Sequence, residues 1–400
     1  MPSRVVLINT AHLLTHYSLL ILPTAVLAMA VPGGPFGDAY GPVVALATGG
    51  FVLYGVMSLP QGWLAARFGA SRMILVFFVG TGFSLALCAL ATGPVALAGA
   101  LALAGGFAAI YHPIGQTLLV EAAGDKPGRM LGLNGVCGNL GVSLAPVVTA
   151  ALAGAVSWRA AFLVPGLVCL GLGLVWARMP AERALARGAA RPFPPIPAHL
   201  VRRAVISLLM VAAVSGLVFN AFTVLIPKLL ADRLAASPAL LPAVGVAAFL
   251  VTLCGALAQF TVGRLIDRTT LRRAFVPVSA VLVPALALCA VARGWAALPV
   301  AAVAAATLFG QVTVNETMAA RYIAPERRAQ MYSLRFFVGF LGRAGAAPLV
   351  GLLQARTGSL APVLAVLAVC SAVTLGCALL FPDRPEELRP ELWGAALPAE

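Results

Sequence analysis

The sequence predicts an all-α integral membrane protein, with twelve transmembrane helices in two pseudo-symmetric six-helix bundles. Three observations predict it. The 400 residues are 61% apolar and 10% charged, against roughly 25% charge in soluble chains. Twelve apolar runs are long enough to span the hydrocarbon, which takes about 20 helical residues. The second half of the chain repeats the first. This composition excludes cytosolic enzymes, disordered scaffolds and secreted disulfide domains. The net charge of +14 sits in short punctuating clusters, so nucleic acid is not an expected partner. Cys88, Cys137, Cys169, Cys254, Cys289, Cys370 and Cys377 have no CxxC spacing. They read as small apolar side chains rather than a disulfide or zinc framework.

In order, the runs cover 5–30, 41–59, 73–91, 94–120, 130–154, 158–179, 204–230, 238–262, 274–291, 297–320, 330–354 and 360–381. Charged or Gly/Pro-rich breaks bound each one. The first carries His12 and His16 and exceeds the about 7–15 apolar residues of a signal peptide, so Ala28-Met29-Ala30 is not read as a cleavage site. Twenty of the 27 Lys and Arg fall in the N-terminus, the even-numbered loops and the C-terminal tail. Five fall in the odd-numbered loops and two, Arg335 and Arg343, inside the eleventh span. Positive residues stay cytoplasmic, so both termini are expected there, in agreement with an even number of spans. Alanine-rich helices and 25 Arg against two Lys suggest a GC-rich bacterial source, hence the bacterial inner membrane.

Between the sixth and seventh spans, Pro192, Pro194, Pro195 and Pro197 stand among basic residues and read as a cytoplasmic linker. The expected division is a bundle over 1–179, a linker over 180–203, a bundle over 204–381 and a cytoplasmic tail over 382–400. The halves repeat one another. An offset of 201 sets Gly62-Trp63-Leu64-Ala65-Ala66-Arg67 on Gly263-Arg264-Leu265-Ile266-Asp267-Arg268, Met130 on Met331, Gly138 on Gly339 and Gly141 on Gly342. An offset of 204 sets Ile21-Leu22-Pro23 on Leu225-Ile226-Pro227, which puts His16 opposite Asn220. Repeated six-helix halves are the sequence sign of a rocking transporter.

The loop Gly62-x-Leu64-x-x-Arg67-x-Gly69-x-x-Arg72, its partner Gly263-x-Leu265-x-Asp267-Arg268-x-x-x-Arg272-Arg273 and the twelve-span plan resemble the major facilitator superfamily. The resemblance covers essentially the whole chain. It implies a gating role for Gly62, Arg67, Gly69, Arg72, Gly263, Asp267, Arg268 and Arg273. In the family the first loop carries a carboxylate that helps to lock the cytoplasmic side, and here Ala66 replaces it while Asp267 keeps the second. One of two latches is therefore expected to be weaker. The run from Phe107 through Tyr111-His112-Pro113 to Gly141 and Ala145-Pro146 is locally similar to fosmidomycin-resistance and related efflux proteins.

Charged side chains at a helix centre cost about 2.5–3.5 kcal/mol on the insertion scale, so they face the bundle interior and mark pathways. Asn9, His12 and His16 share one face of the first span, and Tyr111, His112 and Gln116 stand in the fourth. Asn220, Thr223 and Pro227 form a stripe in the seventh; Gln311, Asn315 and Glu316 mark the tenth. Spans 1, 4, 7 and 10 line the central cavity in the resembled family. At about 1.5 Å per residue from Gln330, Arg343 lies about 20 Å deep and Arg335 about 7 Å. Glu316 is at a depth that suits an ion pair with Arg335, whereas no carboxylate is placed at the depth of Arg343. Each site also has a structural reading. His12 and His16 suit interhelical hydrogen bonds, His112 precedes the helix-breaking Pro113, and Lys228 suits an interfacial anchor. Asn134 and Asn139 read as packing contacts beside Gly132, Gly135, Gly138 and Gly141, a ladder that lets helices approach closely.

The cavity balance is basic, and Arg offers a carboxylate or phosphate a bidentate fork. The expected function is secondary transport of a small organic anion. Arg343, Arg335, His16, His112, Tyr111, Asn220, Asn315, Gln311 and Gln116 would bind it, and His12, His16, His112 and Glu316 would carry protons. The alternative is proton-driven efflux of a drug or hydrophobic metabolite. No P-loop is present, so a gradient rather than ATP would power transport. With no intramembrane Asp or Glu near the histidines and no HExxH or Cys pair, neither a metal nor a cofactor is expected. No nucleophile or metal set supports an enzyme. The expected partners are the bilayer, the substrate, and protons or a counter-substrate, with the protein a monomer.

Overall fold

Twelve apolar runs in hydrocarbon must satisfy their backbone internally, and they do so as helices. The computed structural model describes residues 3–122, 127–179, 196–235 and 240–388. The first span is α1 (Ser3–Leu19) and α2 (Ile21–Met29), parted at Leu20, three residues before Pro23, whereas Pro227 at the equivalent place in the second half leaves its helix unbroken. The second is α3 (Tyr40–Ala45) and α4 (Thr48–Val56), continued by α5 (Gln61–Phe68) after a bend of 62°. The third is α6 (Ala70–Leu90). The fourth is α7 (Pro94–Ala108) and α8 (Tyr111–Ala122), broken four residues before Pro113. The fifth and sixth are α9 (Pro127–Ala155) and α10 (Trp158–Ala177). In the second half α11 (Ala198–Arg233), α12 (Leu241–Arg268), α13 (Leu271–Val291) and α14 (Ala297–Tyr322) are continuous. The eleventh span is α15 (Pro325–Ala344) and α16 (Ala346–Thr357), parted at Gly345 ahead of Pro348, and the twelfth is α17 (Ala361–Leu380). Every expected run is a helix or a broken helix.

Some boundaries differ from expectation. The segments with Gly62 and Arg67, and with Gly263, Asp267 and Arg268, are helical rather than loop. Helical hydrogen bonding continues into the interface until Gly69, whose φ of 88° is a conformation that glycine adopts without strain. Arg72 then opens α6 and Arg273 opens α13. Helix α11 starts at Ala198, inside the expected linker. Residues 180–195 of that linker and 389–400 of the tail lie outside the described residues.

The repeat is a packing repeat. Helix α9 packs on α1, and α15 packs on α11. A Cβ on Gly141 would stand 2.1 Å from the Leu13 carbonyl oxygen, and one on Gly342 would stand 2.2 Å from that of Ala213. The two halves meet toward the end away from the chain termini. There Tyr40 donates to the Val224 carbonyl at 3.2 Å, and the Gly41 amide donates to Gln354 Oε1 at 2.9 Å. Gly245 sits against Pro146 and Ala150. These contacts reach inward as far as Gly55 against Phe340 and the Asn139–Gln259 side-chain hydrogen bond. At the termini end α5 packs on α6 and α8 of its own half, and Asp267 is exposed with no ion pair among the described residues.

A turn at Pro385–Leu388 ties the chain end to this face. The buried Glu387 carboxylate accepts the Leu271 amide at 2.9 Å, Arg321 at 3.2 Å and the Tyr322 hydroxyl. Burial pushes this carboxyl above its ordinary range, although its donors oppose the shift.

Overpacking a close contact costs about 1–3 kcal/mol. Gly141→Leu and Gly342→Leu are therefore each expected to lower the thermal midpoint of the purified protein by several degrees. Gly62→Ala, with open space around its Cβ position, is expected to leave it unchanged.

Candidate functional site

The N-terminal half builds a polar cluster from three helices. On α1, Asn9, His12 and His16 project from one face, as i, i+3 and i+7 require. The break before Pro113 makes Tyr111 and His112 the first residues of α8, turned to meet that face. Gly138 of α9 leaves room for the His12 ring, since a Cβ there would lie 2.5 Å from Cε1. His12 Nδ1 donates to the Asn134 carbonyl at 2.7 Å, which leaves Nε2 as its acceptor, 3.2 Å from His16 Nε2. The His12 ring stacks on Tyr111 at 4.8 Å and meets His112 edge-on at 5.1 Å. The Asn134 amide donates to Asn9 Oδ1 at 3.0 Å and to the Tyr111 hydroxyl at 2.6 Å. Both ring nitrogens of His112 are buried without a hydrogen-bond partner.

In the C-terminal half, Arg335 of α15 pairs with Glu316 of α14 at 2.6 Å, the pair expected from their depths. Arg335 is buried and Glu316 half-exposed. Arg343, two turns further along α15, has no ion pair among the described residues. Its Nε is buried without a partner, and its Cζ lies 5.1 Å from the centroid of the Phe340 ring, a favourable placement for a cation. Asn220 Nδ2 donates to the Arg343 carbonyl at 3.2 Å. Ser215 donates to Gln311 Oε1 at 3.2 Å, Gln311 donates to Ser279 at 3.0 Å, and Asn315 Oδ1 is buried without a partner.

Two adjoining cavities meet at Arg343 and Phe219. One lies between the halves and is lined by His16, Phe51, Tyr54, Asn220, Thr223 and Arg343, among others. The other lies in the C-terminal half between Gln311, Asn315, Arg335, Phe336 and Phe340. The fold thus gathers His12, His16, Tyr111 and His112 in one cluster. It sets His16, Asn220, Gln311, Asn315, Arg335 and Arg343 around the cavities. Gln116 lines neither cavity. Lys228 pairs with Asp232 and lies 5.8 Å from the Tyr40 ring centroid.

Sequence reasoning missed Asn134 and Tyr54. Asn134 reads as a packing residue in sequence, yet its side chain and carbonyl hold Asn9, Tyr111 and His12 together. The repeat carried a signal for it, because the offset of 201 sets Asn134 opposite Arg335. Tyr54, with a buried hydroxyl that has no partner among the described residues, lies in an apolar run with glycines from Gly49 to Met57.

Comparisons agree with this architecture. The sequence model of the Major Facilitator Superfamily matches residues 13–251 and 208–397. Among curated proteins no sequence matches. Two solved structures of a bacterial homologue of the human lysosomal transporter Spinster are similar in fold. The inward-facing, unoccupied form has a TM-score of 0.68 at 15% identity, covering 95% of each chain. The inward-facing, occupied form has a TM-score of 0.69 at 15% identity, covering 99% of this chain and 98% of that one.

Removing one member of a buried pair strands the other charge, and exposure of Glu316 weakens the effect through solvent screening. A double-mutant cycle of Glu316→Gln and Arg335→Met, read by thermal or denaturant unfolding, is expected to give a coupling of about 1–2 kcal/mol.

Proposed function

We infer the function from one premise: the chain belongs to the major facilitator superfamily, so it is a membrane transporter with an alternating-access fold and not an enzyme. We propose that its cargo is a small organic anion of carboxylate type, moved with protons or in exchange for a second solute. One observation carries this reading. Arg343 faces a cavity between the halves without a carboxylate partner among the described residues, and a guanidinium there favours a planar anion through two parallel hydrogen bonds. Glu316 already offsets Arg335, so Arg343 is the cation left for a ligand. Asn220 and Thr223, on the same cavity wall, supply polar edges.

His16 lines that cavity and contacts His12. A bound anion favours the protonated imidazole, which is a physical route to coupling. Because residues of both halves line the cavity, a ligand there contacts both and biases the rocking equilibrium. The rocking units of this reading are 1–179 and 204–381, with 180–203 as linker and 382–400 as tail. The distribution of basic residues supports cytoplasmic termini in an inner membrane, so the end that carries the termini would be the inward one.

Efflux of a hydrophobic compound has one observation in its favour, the apolar lining by Leu19, Leu20, Phe51 and Phe219. Ligand-induced thermal shifts separate the two. A ligand at one hundred times its Kd stabilises by about 2.7 kcal/mol. Carboxylates are expected to raise the thermal midpoint of the wild type and not of Arg343→Ala, with Arg343→Lys retaining part of the shift. Stabilisation of both proteins by lipophilic cations, with none by carboxylates, would overturn the anion reading in favour of efflux.

A further inference from the structure

His12, His16 and His112 each offer one ring nitrogen, and the three nitrogens lie within 4.8 Å of one another. We propose that they form a three-imidazole site for a divalent transition-metal ion of the Zn²⁺, Co²⁺ or Ni²⁺ type. The inference goes beyond the anion reading and does not depend on it.

Three features favour a ligand site over a set of packing contacts. The first is orientation. A metal-binding histidine donates its other ring N–H to an acceptor that fixes the tautomer, and His12 Nδ1 does so to the Asn134 carbonyl at 2.7 Å. That leaves His12 Nε2 with its lone pair toward the other two rings. Asn134 is itself held by Asn9 and Tyr111, so the acceptor is positioned in turn. The second is spacing. Two nitrogens at about 2.05 Å from one tetrahedral ion are about 3.3 Å apart, and His12 Nε2 and His16 Nε2 are 3.2 Å apart. The third is His112. Its residue is 8% exposed, and both ring nitrogens are buried without a partner. A histidine kept only for interhelical contact would satisfy at least one nitrogen. Its ring centroid is 5.1 Å from that of His12 and 5.3 Å from that of His16. A shift of about 1.5 Å in one ring would close the triangle to the spacing of a bound ion.

The donor set gives the metal class. Three imidazoles with no carboxylate among them suit the borderline ions and not Mg²⁺ or Ca²⁺, which demand oxygen. A fourth ligand is needed. His16 lines the central cavity with Arg343, so the open position faces that cavity, where an anionic donor would offset the charge of the ion.

The test uses full-length, tag-free protein stripped with chelator and titrated with Co²⁺ and Zn²⁺ alone. The expected result is one ion per chain, with the intense visible absorption of four-coordinate Co²⁺. His112→Gln and His16→Gln are each expected to weaken binding about ten-fold or more, while His199→Gln, an exposed site outside the cluster, leaves it unchanged. Variant folding is checked by the metal-free thermal midpoint. If the variants misfold, electron paramagnetic resonance of Cu²⁺ bound to the wild type decides through nitrogen hyperfine splitting. Three nitrogen ligands support the site; fewer overturn it. Absence of saturable binding to the wild type, or binding that survives His112→Gln in folded protein, also overturns it.

Discussion

A guanidinium that cannot give up its proton has to be accommodated deep in a low-dielectric helix bundle, and the site is organised around that constraint. An unpaired charge taken out of water costs several kcal/mol. The protein meets the cost at Arg343 with an aromatic face, Phe340, and with access to a cavity rather than with a carboxylate. Arg335, on the same helix, is treated differently and carries Glu316. Two arginines eight residues apart therefore differ in what they leave over. Arg335 is paired with Glu316, and Arg343 has no ion pair among the described residues.

The cavity is where it is because of how the halves are built. Glycines on α9 and α15 draw each of these helices against the first helix of its own half. The halves then close on one another at the end away from the termini through backbone-level contacts such as Gly41 with Gln354. Toward the termini α5 packs on its own half, and Asp267 has no ion pair among the described residues. The arginine lies on α15 and the imidazole cluster on α1 and α8, so the two polar features belong to opposite halves. A ligand that engages both is in contact with both moving parts, which is what alternating access requires of it.

Much of this was legible in the sequence. The apolar runs marked every spanning helix, though not α5, and Pro113 marked the break in the fourth span, whereas α11 runs unbroken through Pro227. The Arg335–Glu316 pair followed from depth along two helices. What sequence could not supply was angle and side. His12 and His16 share a face by spacing, but the approach of His112 depends on how α8 turns after its break. Asn134 stood in a glycine ladder, and its partners lie more than twenty residues away on other helices. Glu387 falls within the expected tail over 382–400, yet it is buried against α13 and α14. The gating motif reads as loop because it lies between apolar runs, whereas the helices continue through it to Phe68 and Arg268.

If Arg343 serves a ligand, its charge does nothing for the fold. Replacing a buried charge by an apolar side chain of similar length stabilises a protein when the charge has no structural partner. The most direct measurement is the thermal midpoint of ligand-free Arg343→Met beside the wild type. A midpoint several degrees higher, together with loss of transport, is the outcome expected of a guanidinium kept for a ligand. A lower midpoint would contradict it, because the guanidinium would then be holding the bundle together.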